Sequence, residues 1–237
     1  MLLQLEYVYE DHAEALEEAK ILDARIEADA TSAHSEDYAA LCLLSARQVM
    51  MASEITVSSL EAGDDDVLIF MKEISSNGKS AFTSFISTAY TSQVIFVSAS
   101  TAQPSQSFEV TTETTDVIFP AAPFYLYLSP SYLELLLEPS YQYQDSGLYN
   151  PLPAAHDIGD RYPNATGHPT YFNAPLPVEE SADMIVLALA LVQKGLTAQA
   201  ERYYHLLSRW GDALVDLALI PSNQLVRLQI QLILLHN

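Results

Sequence analysis

The sequence has few cysteine, glycine and basic residues. Its single cysteine, Cys42, cannot form an internal disulfide or a cysteine-based metal site, and its apolar neighbours favour a buried, unreactive thiol. Only 7 of 237 residues are glycine, and no glycine-rich phosphate-binding loop is present. Ten basic against 31 acidic side chains give a net charge of −21. This balance argues against nucleic acid and anionic membranes as partners, because both are bound through basic patches.

Long apolar runs are also missing. No stretch reaches the ~18 apolar residues that a membrane-spanning helix needs, and residues 1–6 show neither the basic start nor the apolar core of a signal peptide. We therefore expect no signal peptide in this chain and no membrane partner. Hydrophobic residues nevertheless make up 49% of the chain, which is enough to bury a sizeable core. The fraction of charged residues is low, and most of the charged residues are acidic. This composition is typical of secreted proteins.

Hydrophobic periodicity predicts a mainly α-helical protein. Apolar residues three and four apart predict helices over residues 10–29, 36–53, 131–138, 178–194 and 197–219. Ser35 is expected to cap the second helix, which is apolar on nearly all sides and therefore expected to be buried. Helical character returns at Pro120, Pro139 should end the third helix, and Gly195 should link the last two.

The segments between these helices differ in character. Two β-type runs, 55–59 and 67–72, flank a turn at 61–66 and predict a hairpin inserted between helices. Residues 80–108 contain no acidic or basic side chain and show poor periodicity. Residues 146–177 form a long loop rich in polar and aromatic residues, and loops beyond ~12–15 residues are usually functional or disordered. The composition of this loop favours function.

Three clusters of residues offer chemistry. The long loop contains His156, Asp157, Arg161, Tyr162 and His168, which together could position a substrate or a water. The alternative is an ordered loop held by its own Asp and Asn turns.

A second cluster, Glu179, Glu180 and Asp183, lies at a helix start. Carboxylates there commonly cap the helix, but one could also act as a general base on water. The third cluster is Lys72 and Glu73, for which a surface ion pair is the alternative to substrate contact. No metal ligands are expected, because His156 and His168 are far apart and no helical His-x-x-x-His pattern occurs.

These motifs, in this order, resemble the fungal glutaminase A family. The matching segments are residues 43–48 (LLSARQ), 70–76 (FMKEISS), 116–120 (DVIFP), 136–139 (LLEP), 156–159 (HDIG), 162–168 (YPNATGH), 177–180 (PVEE) and 219–225 (LIPSNQL). The resemblance covers residues 6–77 and 112–225.

The resemblance implies a mainly α fold, a partial (α/α)6 six-hairpin toroid of about half the ring with a small β-hairpin insertion. Residues 1–225 would be a partial central and helical domain, interrupted at 79–111 by an atypical low-charge insertion and followed by a non-family tail at 226–237. Both atypical segments are hypothesised to be translated introns of a truncated member, which transcript sequencing would test.

The function implied by the resemblance is a glutaminase-type amidohydrolase that converts L-glutamine to glutamate and ammonia without a cofactor. Glu179 or Glu180 would be the general base on water, His156 or His168 would orient the amide or protonate the leaving ammonia, and Asp157 would orient a histidine. The substrate-binding candidates are Lys72, Glu73, Arg161, Tyr162 and His168.

The family also implies an extracellular or cell-wall location for the intact protein, with Asn164 in a glycosylation sequon. Two alternatives stay open: an (α/α)6 glycoside hydrolase-like enzyme, since one fold serves many chemistries, and a non-catalytic fragment. Ammonia release from glutamine would separate the glutaminase from the glycoside hydrolase, and activity of a repaired full-length chain would separate both enzymes from a non-catalytic fragment.

Overall fold

The protein is described by a computed structural model, which places residues 2–57, 67–73, 111–159, 162, 165–168 and 176–220. Seven helices and one two-stranded sheet are present in these residues, which confirms the predicted mainly α class with a small β-hairpin. The chain forms two compact units, Met1–Met51 and Ala52–Asn237. None of the described helices is both long and apolar enough to cross a membrane. The predicted insertion 79–111, except Thr111, and the tail 226–237 lie outside the described residues.

The first unit consists of two helices, α1 (Leu2–Ala33) and α2 (Glu36–Ala52). The predicted cap is confirmed, because the Ser35 hydroxyl accepts a hydrogen bond from the backbone N–H of Tyr38 at 3.2 Å. An ion pair of 3.0 Å joins Arg47 of α2 to Asp23 of α1.

The predicted burial of α2 is wrong. Its side chains at Leu41 and Met51 are 62% and 58% exposed, and Cys42 is half-buried rather than buried. A helix that is apolar on all sides is buried only where neighbours cover every face. In the described part of this unit α1 is the one other helix, and a single neighbour covers one face.

The second unit begins with the predicted β-hairpin. Strands β1 (Ser53–Val57) and β2 (Val67–Met71) pair antiparallel, with Ile55 opposite Ile69. The first strand starts two residues earlier than predicted, and the turn at 61–66 lies outside the described residues. Beyond the end of β2, Lys72 forms an isolated bridge with Thr112.

Two helices rich in proline follow, α3 (Thr115–Leu128) and α4 (Pro130–Asp145). The prediction that Pro139 ends a helix is wrong, because α4 continues through Pro139 to Asp145. An internal proline costs roughly 3 kcal/mol. Burial of the same helix offsets this cost, since Leu133, Leu136 and Tyr141 are each 0% exposed.

Three helices complete the described chain: α5 (Pro177–Gln193), α6 (Ala198–Arg202) and α7 (Tyr204–Leu217). Gly195 ends α5 in the left-handed conformation, with a φ of 87° that favours glycine. The predicted single helix over 197–219 is interrupted at Tyr203. Within α7, Leu206, Trp210 and Ala213 are buried, whereas Tyr204 is 70% exposed.

Packing places α3 beside α4 and α5, α5 beside α7, and α4 against β2. The Tyr141 ring of α4 stacks on the Tyr203 ring at 4.7 Å and on Trp210 at 5.7 Å. Glu138 of α4 accepts hydrogen bonds from the Tyr203 hydroxyl and from Gln199, each of 2.7 Å. These contacts fix the junction of α6 and α7 to α4.

Candidate active site

The candidate site is built on the loop segment 153–159, which is held by side chains of three helices. The backbone N–H of Ala154 donates to the Ser181 hydroxyl of α5 at 3.0 Å, and that of Ala155 donates to Gln144 of α4 at 2.9 Å. The Thr115 hydroxyl of α3 donates to the carbonyl of Ala155 at 2.9 Å. Because all three partners are buried, the loop is fixed although it lacks regular secondary structure.

A short backbone ladder extends this frame to the hairpin. The N–H of Glu73, just after β2, donates to the carbonyl of Thr111 at 2.9 Å. Thr112 in turn donates to Gly159 at 2.8 Å and accepts from Ile158 at 3.0 Å. Residues after β2, residues before α3 and the loop are thereby brought into one site.

Asp157 is the central hydrogen-bond acceptor of the site. Its Oδ2 accepts from Nδ1 of His156 at 2.8 Å, while its Oδ1 accepts from Nε2 of His168 at 2.5 Å and from the N–H of Gly159 at 2.7 Å. Burial opposes ionisation of Asp157, but these hydrogen bonds and the charge of the histidines hold its pKa well below the usual value. Asp157 is therefore a permanent anion that orients two imidazole rings.

The other side of the His156 ring faces two carboxyl groups. Its Nε2 lies 3.9 Å from Oδ1 of Asp116 and 4.0 Å from Oε1 of Glu180. Burial alone would lower the pKa of His156, but the hydrogen bond to Asp157 and the nearby negative charges of Asp157, Asp116 and Glu73 raise it. We refer to Asp116, His156, Asp157, His168 and Glu180 as the site cluster.

Glu180 is the most deeply buried acid of the cluster. Its side chain is 0% exposed, and neither carboxyl oxygen has a hydrogen-bond partner among the described residues. Burial, followed by repulsion from Asp116 and Asp183, raises the pKa of Glu180 to about 10. Burial also raises the pKa of Asp116, and burial and Glu179 raise that of Asp183 to about 7. At neutral pH Glu180 therefore holds a proton unless a cation neutralises it.

A second part of the loop, residues 165–168, folds back onto the first. The N–H of Gly167 donates to the carbonyl of Ile158 at 2.7 Å, and that of His168 donates to the Tyr143 hydroxyl at 2.8 Å. Gly159 has a φ of 128°, and a Cβ there would lie 2.8 Å from the hydroxyl oxygen of Thr166. This close approach requires glycine and sets the position of His168.

The structure brings some of the sequence-predicted residues together and separates others. Glu180, His156, Asp157 and His168 lie in the site cluster, and Glu73 is near enough to act on Asp116 and His156 through its charge.

Three candidates, Glu179, Lys72 and Tyr162, have other surroundings. The Glu179 side chain is exposed, and no hydrogen bond or ion pair within the described part of the chain joins the Lys72 side chain to the cluster. The Tyr162 hydroxyl donates to Glu54 of β1 at 2.7 Å. Arg161 and the sequon residue Asn164 lie outside the described residues.

Asp116 is a site residue that the sequence reasoning did not single out. It occupies the first turn of α3, followed by the buried Val117 and Ile118. An acid in a first helical turn is ordinarily explained as dipole compensation. Its place at the start of the family-matching segment 116–120 is a signal that could have identified it. The expectation of no metal ligands also rested on local spacing, whereas Asp116, His156 and Glu180 come from three separate segments and converge within 4.8 Å.

Comparison with known proteins gives a consistent picture. A family model described as the glutaminase A six helical-hairpin domain matches residues 35–102 and 84–231. Glutaminase A of Aspergillus oryzae is 36% identical over 222 residues, which are 93% of this chain and 27% of that protein. A protein of Arthroderma benhamiae named "Probable glutaminase" is 34% identical over 181 residues, 75% of this chain and 17% of that protein.

The chain thus spans about a quarter of the Aspergillus relative and about a sixth of the Arthroderma relative. No solved structure matches it.

Proposed function

The chain belongs to the glutaminase A six helical-hairpin family, and we propose that its site cluster hydrolyses the side-chain amide of L-glutamine to glutamate and ammonia. The observation that carries the proposal is the placement of His156 between the anion Asp157 and two further carboxyl groups, the half-buried Asp116 and the fully buried Glu180. Both relatives are named as glutaminases, which supports amide hydrolysis as the reaction.

The proposed reaction uses a water between the two carboxyl groups as the nucleophile. Oxygen of this water attacks the amide carbon, its proton passes to the Asp116 carboxylate, and the amide nitrogen receives a proton from Glu180 or His156 and leaves as ammonia. Of the adjacent glutamates that the sequence offered as the base, Glu180 is buried and Glu179 is exposed. Because burial keeps Glu180 protonated at neutral pH, its role in this proposal is that of the acid. His156, oriented by Asp157, donates to the carbonyl oxygen or the departing nitrogen.

The spacing of the carboxyl groups argues against an inverting glycosidase. Inverting glycosidases keep their two carboxyl groups about 6.5–9.5 Å apart to admit a water beside the sugar, whereas retaining glycosidases keep them about 5–5.5 Å apart. The ligand oxygens of Asp116 and Glu180 lie within 4.8 Å of each other, which is too short for an inverting pair. We place the glycoside hydrolase reading second because both relatives are named as glutaminases.

Substrate contacts and location form the outer part of the proposal. Lys72 and Arg161 would bind the α-carboxylate of glutamine, and the acidic surroundings that include Glu73 would attract its α-ammonium group. Tyr162 and His168 would line the approach. The whole protein would act outside the cell, with Asn164 glycosylated.

The test is ammonia release from glutamine by the 237-residue chain and two variants. Glu180→Gln should lower kcat/KM by about 10²- to 10⁴-fold, the usual contribution of a proton-transfer group. Asp145→Asn is the matched control, because it removes a carboxylate from an exposed pair with His205. Absence of ammonia release by the parent chain, or full activity of Glu180→Gln, would refute the proposal; release of reducing sugar from glycosides instead would establish the second reading.

A further inference from the structure

We propose that Asp116, His156 and Glu180 form a binding site for one divalent transition-metal cation of the zinc or manganese type. The inference rests on the proposed function only for its chemical consequence; the site itself stands on geometry. One ligand atom from each residue, a carboxylate oxygen from Asp116 and Glu180 and a ring nitrogen from His156, lies within 4.8 Å of the other two.

The three atoms are arranged around a common centre. Nε2 of His156 lies 3.9 Å from Oδ1 of Asp116 and 4.0 Å from Oε1 of Glu180. The nearest point that is equidistant from these three atoms is at most about 2.5 Å from each of them, whereas zinc–ligand distances are ~2.0–2.2 Å. A shift of a few tenths of an ångström per side chain closes this gap. Small rotations of two carboxyl groups suffice for that.

Unpartnered buried oxygens point to a cation. Oδ1 of Asp116 and both carboxyl oxygens of Glu180 are buried and have no hydrogen-bond partner within the described residues. Glu180 is also 0% exposed. A buried acceptor without a partner is unfavourable, and two such groups side by side repel each other once ionised. One cation between them supplies the missing partner to both.

The surroundings of His156 match those of a metal-binding histidine. Metal-ligating histidines usually donate their second ring N–H to a carboxylate, which fixes the tautomer and leaves the other nitrogen as a ligand. Here Nδ1 of His156 donates to Asp157 at 2.8 Å, so that Nε2 faces Asp116 and Glu180. Asp157 is itself held by Gly159 and His168. This outer layer is complete without any rearrangement.

The donor set indicates the class of metal. Calcium takes 6–8 oxygen ligands and magnesium keeps several waters, whereas an imidazole nitrogen suits zinc and related transition metals. Three protein ligands are the number found in catalytic zinc sites, which leave a fourth position for water or substrate. With a cation bound, Asp116, His156 and Glu180 would act as its ligands rather than as proton carriers, and the water bound to the cation would be the nucleophile of the proposed amide hydrolysis.

The test is calorimetric titration of the chelator-treated 237-residue chain with ZnCl₂ and, separately, MnCl₂. We expect one site per chain. Asp116→Asn and Glu180→Gln should each weaken binding at least 100-fold, and Asp157→Asn should weaken it 10- to 100-fold through the orientation of His156. Asp145→Asn should change the affinity for the metal less than twofold, because the exposed His205–Asp145 pair is not part of the proposed site. A larger change would indicate that this pair binds the metal.

A second measurement does not depend on any variant folding. Co²⁺ added to the parent chain should produce the visible absorption bands of a four-coordinate site, and Zn²⁺ should displace them. Absence of binding to the parent chain, or binding that survives both ligand substitutions, overturns the proposal; the first outcome would mean that Glu180 is simply protonated.

The activity arms separate this inference from the proposed function. Ammonia release that continues undiminished in EDTA, with no zinc bound, removes the metal site and leaves the amidohydrolase. Stoichiometric zinc binding without ammonia release from glutamine removes the amidohydrolase and leaves the metal site.

Discussion

Replacing Asp157 with asparagine perturbs the site through a single atom. In the present structure Oδ1 of Asp157 accepts from His168 and Gly159, while Oδ2 accepts from Nδ1 of His156. An asparagine can keep the first two hydrogen bonds through its carbonyl oxygen. Its NH₂ group then faces Nδ1 of His156, donor against donor, so the His156 ring must adopt the other tautomer and carry its hydrogen on Nε2.

The size of the effect follows from this geometry. Hydrogen bonds to a charged acceptor contribute about 1.5–3 kcal/mol each and neutral ones about 1 kcal/mol, so weakening the bonds to the two histidines should lower the free energy of unfolding by about 1–3 kcal/mol. Activity should fall much further. A catalytic histidine in the wrong tautomer costs about 10²- to 10⁴-fold in rate, because Nε2 can no longer accept a proton or a metal.

Three measurements on Asp157→Asn test this reasoning. Ammonia release gives kcat/KM, urea unfolding followed by circular dichroism gives the free energy of unfolding, and ¹⁵N NMR of the imidazole nitrogens gives the tautomer. Asp145→Asn, which acts on the exposed Asp145–His205 pair, should leave all three unchanged. The reasoning is refuted if kcat/KM of Asp157→Asn stays within threefold of the parent, or if His156 still carries its hydrogen on Nδ1.

Three predictions concern stability. Glu138→Gln should lower the free energy of unfolding by about 1–3 kcal/mol in urea at pH 7, because four side chains donate hydrogen bonds to this carboxylate. Despite partial burial, these donors hold the pKa of Glu138 below its usual value. The loss of stability should therefore shrink as pH falls through that pKa, and a loss that stays constant with pH would contradict the role of charge. Glu113 is fully buried and its pKa is raised, mainly by burial. Its ionisation in the unfolded chain should therefore reduce parent stability as pH rises above about 4.3, by up to ~1.4 kcal/mol per pH unit. Glu113→Gln should remove this contribution to the slope in unfolding measured from pH 4 to 7, whereas the contribution of Glu180, whose pKa is also raised, should remain. Gly159→Ala should cost more than Gly195→Ala in thermal unfolding, because both have positive φ but only the first Cβ meets Thr166, at 2.8 Å; equal losses would indicate that conformation alone matters.

Local pattern was sufficient for most helices and for the hairpin. The Ser35 cap, the β1–β2 pairing and the Gly195 link depend on residues within a few positions of each other. The prediction that Pro139 ends the helix was wrong because it considered only the local free-energy cost of an internal proline. The burial of Leu136 and its neighbours, which offsets that cost, is provided by α3, α5 and β2. Tyr203 likewise interrupts a helix that periodicity predicted to be continuous. Its ring stacks on that of Tyr141, which lies 62 residues earlier in the chain.

The sequence by itself determined the helical class, the family resemblance and the loop that holds His156, Asp157 and His168. It could not choose between Glu179 and Glu180, which are adjacent in the chain, nor select Asp116 from 31 acidic residues. Only the tertiary structure decided these points. The fold buries Glu180, exposes Glu179 and brings Asp116 of α3 to the same imidazole nitrogen. Burial and convergence of ligand atoms depend on how distant segments pack, which no local pattern of residues encodes.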